Sequence, residues 1–257
     1  MTEQMPILFV GHGSPMNAVE DNEFSQAWIE AGKALPHPEA ILCISAHWET
    51  NGTLVTAMEK PRTIYDFYGF PPELYAMMYS APGSPQLAQH VHDLTTGDEI
   101  APDLTWGLDH GTWSVLTRLF PMADVPVVQL SLDVNKNTQA HYDLGKKLKN
   151  LRGEGVLIIG SGNIVHNLRM VVFEDTAYEW AVEFDGKVKQ WILADDYEPI
   201  IHYEKQGRVA ELAINSAEHY KPLLYVLGAK EAGEPVRFFA EKVWGGSLSM
   251  RSIWIGE

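Results

Sequence analysis

Four short runs of the chain, Pro6–Val10, Ala40–Ser45, Val125–Leu132 and Val156–Gly160, are rich in Ile, Val and Leu. Runs of this length and composition predict strands covered on both faces, as in a parallel sheet. Helical spacing fills the gaps between them. It predicts helices over Glu23–Lys33, over Ser84–Thr95 with Ser84 as N-cap and Pro85 in the first turn, and over Thr138–Leu151, ending near Gly153. Two more are predicted at Tyr178–Asp195 and Ser216–Leu227, with Pro222 near the start of the second or kinking it. Pro235–Ala240 and Ser247–Ile255 predict late strands that pair antiparallel. This alternation predicts an α/β fold: a single-domain sandwich with a central, largely parallel (mixed) sheet flanked by helices.

Nothing divides the chain. There is no repeat of fixed period, no low-complexity segment and no linker rich in Pro, Gly or Ser, so one domain is expected over residues 1–257. The most irregular stretch is residues 59–85, EKPRTIYDFYGFPPELYAMMYSAPGSP, dense in Tyr, Phe and Pro. Such a loop either covers a site or packs on the surface.

Composition narrows the function. A net charge of -15 repels polyanions, and no Lys/Arg cluster is long enough to follow a phosphate backbone, which argues against nucleic acid as a partner. No stretch approaches the roughly 18–20 apolar residues of a membrane span. The start, MTEQMPILFVGHG, carries an acid and no basic leader region, so a cytoplasmic location is expected. The one cysteine, Cys43, can form no intrachain disulfide and sits in the apolar AILCISAHW, which reads as buried packing.

Candidate chemistry lies where strands end. ILFVGHGS, ILCISAHWE and VLIIGSGNIVHN each run from an apolar strand through small residues to a histidine: His12, His47 and His166. In an open α/β sheet, the carboxyl ends of parallel strands form the crevice where ligands bind. Gly11 and Gly13 clear side chains from beside His12, freeing the backbone and admitting a bulky ligand. Converging imidazoles point to a metal site. A single strand-end histidine is more often a hydrogen-bonded rim or core residue, and it is the threefold repetition that carries the metal reading. His110 in WGLDHGTWSVL opens a helix beginning near Gly111 and is placed to face the crevice. His219 is expected in the first turn of a helix capped by Ser216, with Glu218 beside it an equally good ligand type. His37, His90, His92 and His141 read as solvated surface, and His202 as structural. GSGNIV lacks the third glycine of a dinucleotide fingerprint, and Ser14 lacks the glycine spacing of a nucleophile elbow.

Taken in order, GHGSPMN, SAHWET, WGLDHGTWSVL, PVVQLSLD, GSGNIVHNLR and EHYKPLLYVLGA resemble the class III extradiol ring-cleavage dioxygenases, in their 4,5-DOPA dioxygenase-like branch. The resemblance runs from residue 6 to about 255 and implies an enzyme that opens a DOPA-like catechol beside its two hydroxyls with O2. It implies one divalent metal per chain, Fe(II) for activity with Zn(II) as an alternative occupant. It makes His12, His47 and the EHY histidine His219 metal ligands. His166 becomes the acid/base histidine, close enough to serve as a fourth ligand without substrate, and His110 a second pocket histidine. Relatives that cleave protocatechuate complete the ligand set with a glutamate, which keeps Glu218 open beside His219. The alternatives are a zinc-dependent hydrolase and a non-catalytic metal-binding module on the same fold. Neither the physiological catechol nor the oligomeric state can be read from the chain.

Overall fold

A computed structural model describes residues 4–257. Residues 1–3, where the segment read as lacking a leader begins, lie outside the described residues. The strands are β1 (Ile7–Gly11), β2 (Ala40–Thr50), β3 (Leu54–Thr56), β4 (Ala101–Asp103), β5 (Val127–Asp133), β6 (Val156–Gly162), β7 (Val236–Phe239), β8 (Val243–Trp244), β9 (Leu248–Ser249) and β10 (Ser252–Ile255). The helices are α1 (Glu23–Ala34), α2 (Pro72–Tyr75), α3 (Pro85–Leu94), α4 (His110–Leu119), α5 (Thr138–Leu148), α6 (Glu179–Leu193), α7 (Glu198–Ile201), α8 (Arg208–Ala213) and α9 (Lys221–Ala229).

Eight strands form one mixed sheet in the order β4-β3-β5-β2-β6-β1-β10-β7, while β8 and β9 pair in a separate hairpin. The central neighbours β5, β2, β6 and β1 are all parallel, so their carboxyl ends share one edge. Along β1, Ile7 and Phe9 enter one apolar cluster with α5 and α9, whereas Leu8 and Val10 enter another with α1 and α4. Burial on both faces explains the apolar character of the central strands. At the far edge β10 pairs antiparallel with both β1 and β7, as the late apolar runs predict.

Local chemistry sets the element ends. Ser84 caps α3 by accepting from the Leu87 N–H, with Pro85 at the first position. Asn22 and Ser25 form a reciprocal capping box at the start of α1.

The structure corrects four expectations. The run Ser247–Ile255 is two strands, because the chain leaves the β8–β9 hairpin at Met250–Arg251 before joining the main sheet. The helix over Thr138–Leu151 ends at Leu148, and a 3-10 turn over Lys149–Glu154 closes on Gly155 with φ of 82°. The helix placed at Ser216 begins at Lys221, where Pro222 fits the first turn and needs no hydrogen-bond donor. Ser216 therefore caps nothing; its hydroxyl donates to Glu218 Oε1. His141 is fully buried between α5 and α9, with Nδ1 2.9 Å from the Tyr225 hydroxyl, because the charged appearance of its helix belongs to the opposite face.

The remaining histidines outside the crevice are spread over the surface. His37 and His92 are exposed, the latter within reach of the Ile100 carbonyl, while His90 is half-buried beside Glu154. His202 is half-buried between Glu198 and Glu204. Cys43 is buried as expected, and burial pushes its thiol up to about 12.

Candidate metal centre and active site

His12 follows the last residue of β1, where its N–H donates to the Gly162 carbonyl at the end of β6. Gly13 beyond it takes a φ of 58°, and a side chain there would collide with Met250 Sδ. A Cβ on Gly11 would meet the Met250 backbone at 2.7 Å. Gly11 thus admits the Met250–Arg251 crossing next to His12, while Gly13, with its positive φ, lines the cavity beside His12 as well as packing on the Met250 side chain. His47 lies within β2, which continues to Thr50 and does not stop at Ser45. Its pairing with β5 shifts register between Ile44 and Glu49, and this irregularity turns His47 into the crevice.

His219 comes from the turn before α9. That turn lies on the end of β6, with Asn163 N–H donating to the His219 carbonyl at 2.8 Å. The approach requires glycine at 162, since a Cβ there would sit 2.1 Å from the same carbonyl. His110 is the first residue of α4, capped by Asp109, whose side chain accepts from the Thr112 N–H. His166 arrives in the segment after β6, its N–H bonded to the Ala213 carbonyl.

Three of these rings form a triangle. Ring centres are separated by 5.0 Å for His12–His47, 5.2 Å for His12–His219 and 4.9 Å for His47–His219. Imidazoles bound to one ion at about 2.0–2.1 Å in tetrahedral directions place their ring centres about 5 Å apart, so the triangle has the dimensions of a metal site. His47 Nε2 lies 3.1 Å from His12 Nε2.

The outer nitrogens show what this contact means. His12 Nδ1 is 3.0 Å from Ser161 Oγ, and that hydroxyl already donates to the Gly111 carbonyl, so it accepts the His12 proton. His47 Nδ1 faces Asp66 Oδ2 at 3.4 Å, and His219 Nδ1 faces Glu218 Oε1 at 3.1 Å. With each Nδ1 turned to an acceptor, the three Nε2 atoms carry lone pairs. Bare lone pairs 3.1 Å apart repel unless a cation lies between them, so the donor set fits a metal ion. Glu218 Oε1 lies against His219 Nδ1 at 3.1 Å, and Glu218 also groups with His166 and His219, their possible ligand atoms lying within 4.8 Å of one another.

His166 and His110 flank the triangle on different sides. The His166 ring stacks on His219 with centres 3.4 Å apart and planes within 7°. The His110 ring centre is 3.8 Å from that of His47, and its Nδ1 lies 3.0 Å from Asp66 Oδ2. Burial lowers the basicity of four of these histidines. Burial, and then the neighbouring His47, holds His12 well below the usual imidazole value; burial, and then His166, does the same for His219. Burial, and then the neighbouring His110, lowers His47 to about 3; burial also lowers His166 to about 4. All four are neutral at pH 7, as ligands to a cation must be.

The site opens into a cavity of about 990 Å³. One wall belongs to the aromatic segment 59–85, which contributes Asp66, Phe67, Tyr68 and Phe70 and so covers the site. Leu168, Val171 and Phe173 line the opposite wall, and Lys242 stands at the mouth between Glu23 and Asp175 at 2.6 and 2.8 Å. Asp66 and Ser161 were not anticipated from the sequence. Ser161 lies within GSGNIV at the carboxyl end of β6, a position that hinted at it; Asp66 had no comparable signal.

An α/β sheet whose strand ends gather neutral imidazoles around one point is the frame of a metal-dependent enzyme. Residues 5–244 match the family described as the catalytic LigB subunit of aromatic ring-opening dioxygenase. A 4,5-DOPA dioxygenase extradiol from Escherichia coli (strain K12) is 47% identical over 260 residues, covering 98% of this chain and 95% of that protein. One from Beta vulgaris is 38% identical over 251 residues, covering 95% and 94%. A crystal structure of an uncharacterized protein from Escherichia coli K12 superposes with a TM-score of 0.87 at 43% identity, covering 98% of this chain and all of that one. The chain belongs to the LigB family of class III extradiol dioxygenases, and its activity is ring cleavage of a catechol. The zinc-hydrolase and binding-module alternatives are set aside by that membership. No described helix is long and apolar enough to cross a membrane.

Proposed function

We propose that residues 1–257 form one catalytic domain that cleaves a DOPA-like catechol with O2, using Fe(II) held by His12, His47 and His219. The triangle of the three rings, with the Nε2 atoms of His12 and His47 3.1 Å apart, carries this reading. Zn(II) suits the same neutral ligand set and is expected to occupy it readily, without supporting turnover. At such a site iron supplies open coordination for substrate and O2 and a path for electrons between them.

The protein's own groups handle position and protons. His166, neutral at pH 7, takes the proton of a catechol hydroxyl and returns it as the ring opens. Without substrate it is near enough to act as a further donor to the ion, since a ring nitrogen of His166, a ring nitrogen of His219 and a carboxylate oxygen of Glu218 lie within 4.8 Å of one another. His110 stands at the start of α4, where the helix end favours negative charge, and orients the substrate or the oxygen. Phe67 meets His110 edge-on with ring centres 5.5 Å apart and excludes water from that side. At the mouth, Lys242 between Glu23 and Asp175 presents both signs of charge, a set that can meet the ammonium and carboxylate of an amino-acid catechol. Curated relatives at 47% and 38% identity carry the DOPA name, which supports that choice of substrate. The composition supports a cytoplasmic location.

The test is direct. Protein stripped of metal, reloaded anaerobically with Fe(II) and mixed with L-DOPA is expected to consume oxygen and form a yellow ring-opened product. Oxygen uptake with another catechol but not with L-DOPA would change the substrate. Absence of uptake with every catechol tried would reject the reading.

A further inference from the structure

Asp66 belongs to the aromatic segment, far in sequence from every histidine of the site, yet it touches two of them. Its Oδ1 accepts from the His110 backbone N–H at 2.9 Å. Its Oδ2 lies 3.0 Å from His110 Nδ1 and 3.4 Å from His47 Nδ1. The carboxylate is mostly buried, with 17% of its side chain exposed. The segment that carries it is fixed on both sides. Ile64 N–H donates to the Leu108 carbonyl, Leu108 N–H to the Arg62 carbonyl, Trp113 Nε1–H to the Ile64 carbonyl, and the Tyr65 hydroxyl to the Met77 carbonyl. Residues 62–64 are thereby bonded to the strand-like entry of α4, and Asp66 is delivered at the helix start with little freedom. A carboxylate this buried needs donors; the His110 backbone N–H hydrogen-bonds it, and the Nδ1 atoms of His110 and His47 lie within ion-pair reach without an aligned hydrogen bond.

We propose that Asp66 is a positioning residue for the dioxygenase site: one carboxylate holds Nδ1–H on both His47 and His110, so that the Nε2 of each is left for the cavity side. The inference rests on the reading of the site as a His12–His47–His219 metal centre with His110 beside it. For His47 the consequence is a lone pair aimed at the shared ion. For His110 it is a ring fixed at the start of α4 in one tautomer. Asp66 also takes up the N–H of His110, one of the donors left unpaired at a helix start, so docking of the aromatic segment and completion of the site are a single event. Asp109, which caps the same helix through the Thr112 N–H, hydrogen-bonds Ser45 and Gln129 instead and serves as a contrast.

The test compares Asp66→Ala and Asp66→Asn with the wild type, after near-ultraviolet circular dichroism confirms that each is folded. In metal-free protein labelled with 15N at histidine, imidazole shifts report which ring nitrogen carries the proton. The wild type is expected to show Nδ1–H on His47 and His110, and Asp66→Ala to lose that state at both rings. Asp66→Asn, which keeps the shape and one acceptor oxygen, is expected to retain it at one ring at most. Zinc affinity, measured by competition with a chelator, is expected to fall about 10–100-fold in Asp66→Ala, the range typical for losing an acceptor behind a metal-bound histidine. Asp66→Glu is expected to recover part of it, which a merely structural role would not require. Unchanged histidine tautomers in Asp66→Ala, together with zinc affinity within twofold of the wild type, would overturn the proposal. If Asp66→Ala does not fold, the same readouts on Asp66→Asn decide it. If the wild type bound no metal and consumed no oxygen, the reading of the site would fail, while the tautomers of the metal-free protein would still decide what Asp66 does.

Discussion

Two regions of this molecule bury histidine, and only one of them is a site. At the α5–α9 seam, His141 is fully buried, its Nδ1 meets the Tyr225 hydroxyl, and burial lowers its basicity to about 4. In the crevice, His166 is lowered to about the same value for the same leading reason. A depressed imidazole therefore distinguishes nothing. What differs is company: His141 is the one histidine at its seam, with Nε2 unpartnered, whereas His12, His47 and His219 hold their Nδ1 atoms toward Ser161, Asp66 and Glu218 and set their ring centres 4.9–5.2 Å apart. A buried histidine is a packing solution until several lone pairs share one point.

The sharpest way to break this contrast is to delete a member of the triangle. His12→Ala is expected to lose stoichiometric metal by elemental analysis and to lower oxygen uptake to background. Retained metal in that variant would mean that the triangle is not the binding set. Next in size is His166→Ala, expected to keep its metal and lose about 10²–10⁴ in kcat, the usual share of an acid/base group. Turnover within tenfold of the wild type would remove His166 from that role.

Acidification probes both regions together. The folded values of His47, His166 and His141 lie at about 3, 4 and 4, against about 6.5 in the unfolded chain, so the unfolded state binds more protons between those limits. Stability of the metal-free protein is therefore complete above about pH 6.5 and falls as pH drops toward 4, which thermal melts across that range will record. A melting temperature that rose on acidification would contradict the buried neutral state. The smallest effect is expected at the seam. His141→Leu leaves the Tyr225 hydroxyl without its partner but also removes an unpartnered Nε2, for a net cost of about 1–2 kcal/mol, with metal content and turnover unchanged.

The legible part of this protein was the part governed by one-dimensional pattern. Central strands buried on both faces announce themselves as apolar runs, and Ser84-Pro85 announces a helix start, so β1, β2, β5, β6 and α3 are where the sequence puts them. The crevice was visible too, because strand ends in a parallel sheet share an edge and His12, His47 and His166 recur at such ends. What was hidden depends on contacts across the chain. His141 looked solvated because its helix is charged on the other face. His219 appeared to open a helix because Ser216 resembles a cap, while Pro222 in fact sets the start at Lys221. Gly11 beside His12 appeared to make room for a ligand, and its neighbour is the Met250 backbone, about 240 positions away. Asp66 carried no periodicity and no motif, since its role comes entirely from where the aromatic segment docks.

The position of one ion decides whether His12, His47 and His219 form the metal centre. Crystals of protein reconstituted with Zn(II), examined by anomalous scattering at the zinc edge, are expected to show a single peak about 2.0–2.1 Å from the Nε2 atoms of His12, His47 and His219, with Glu218 outside the coordination sphere. A peak bound instead through Glu218 and His166, or no peak within reach of His12, would contradict that assignment.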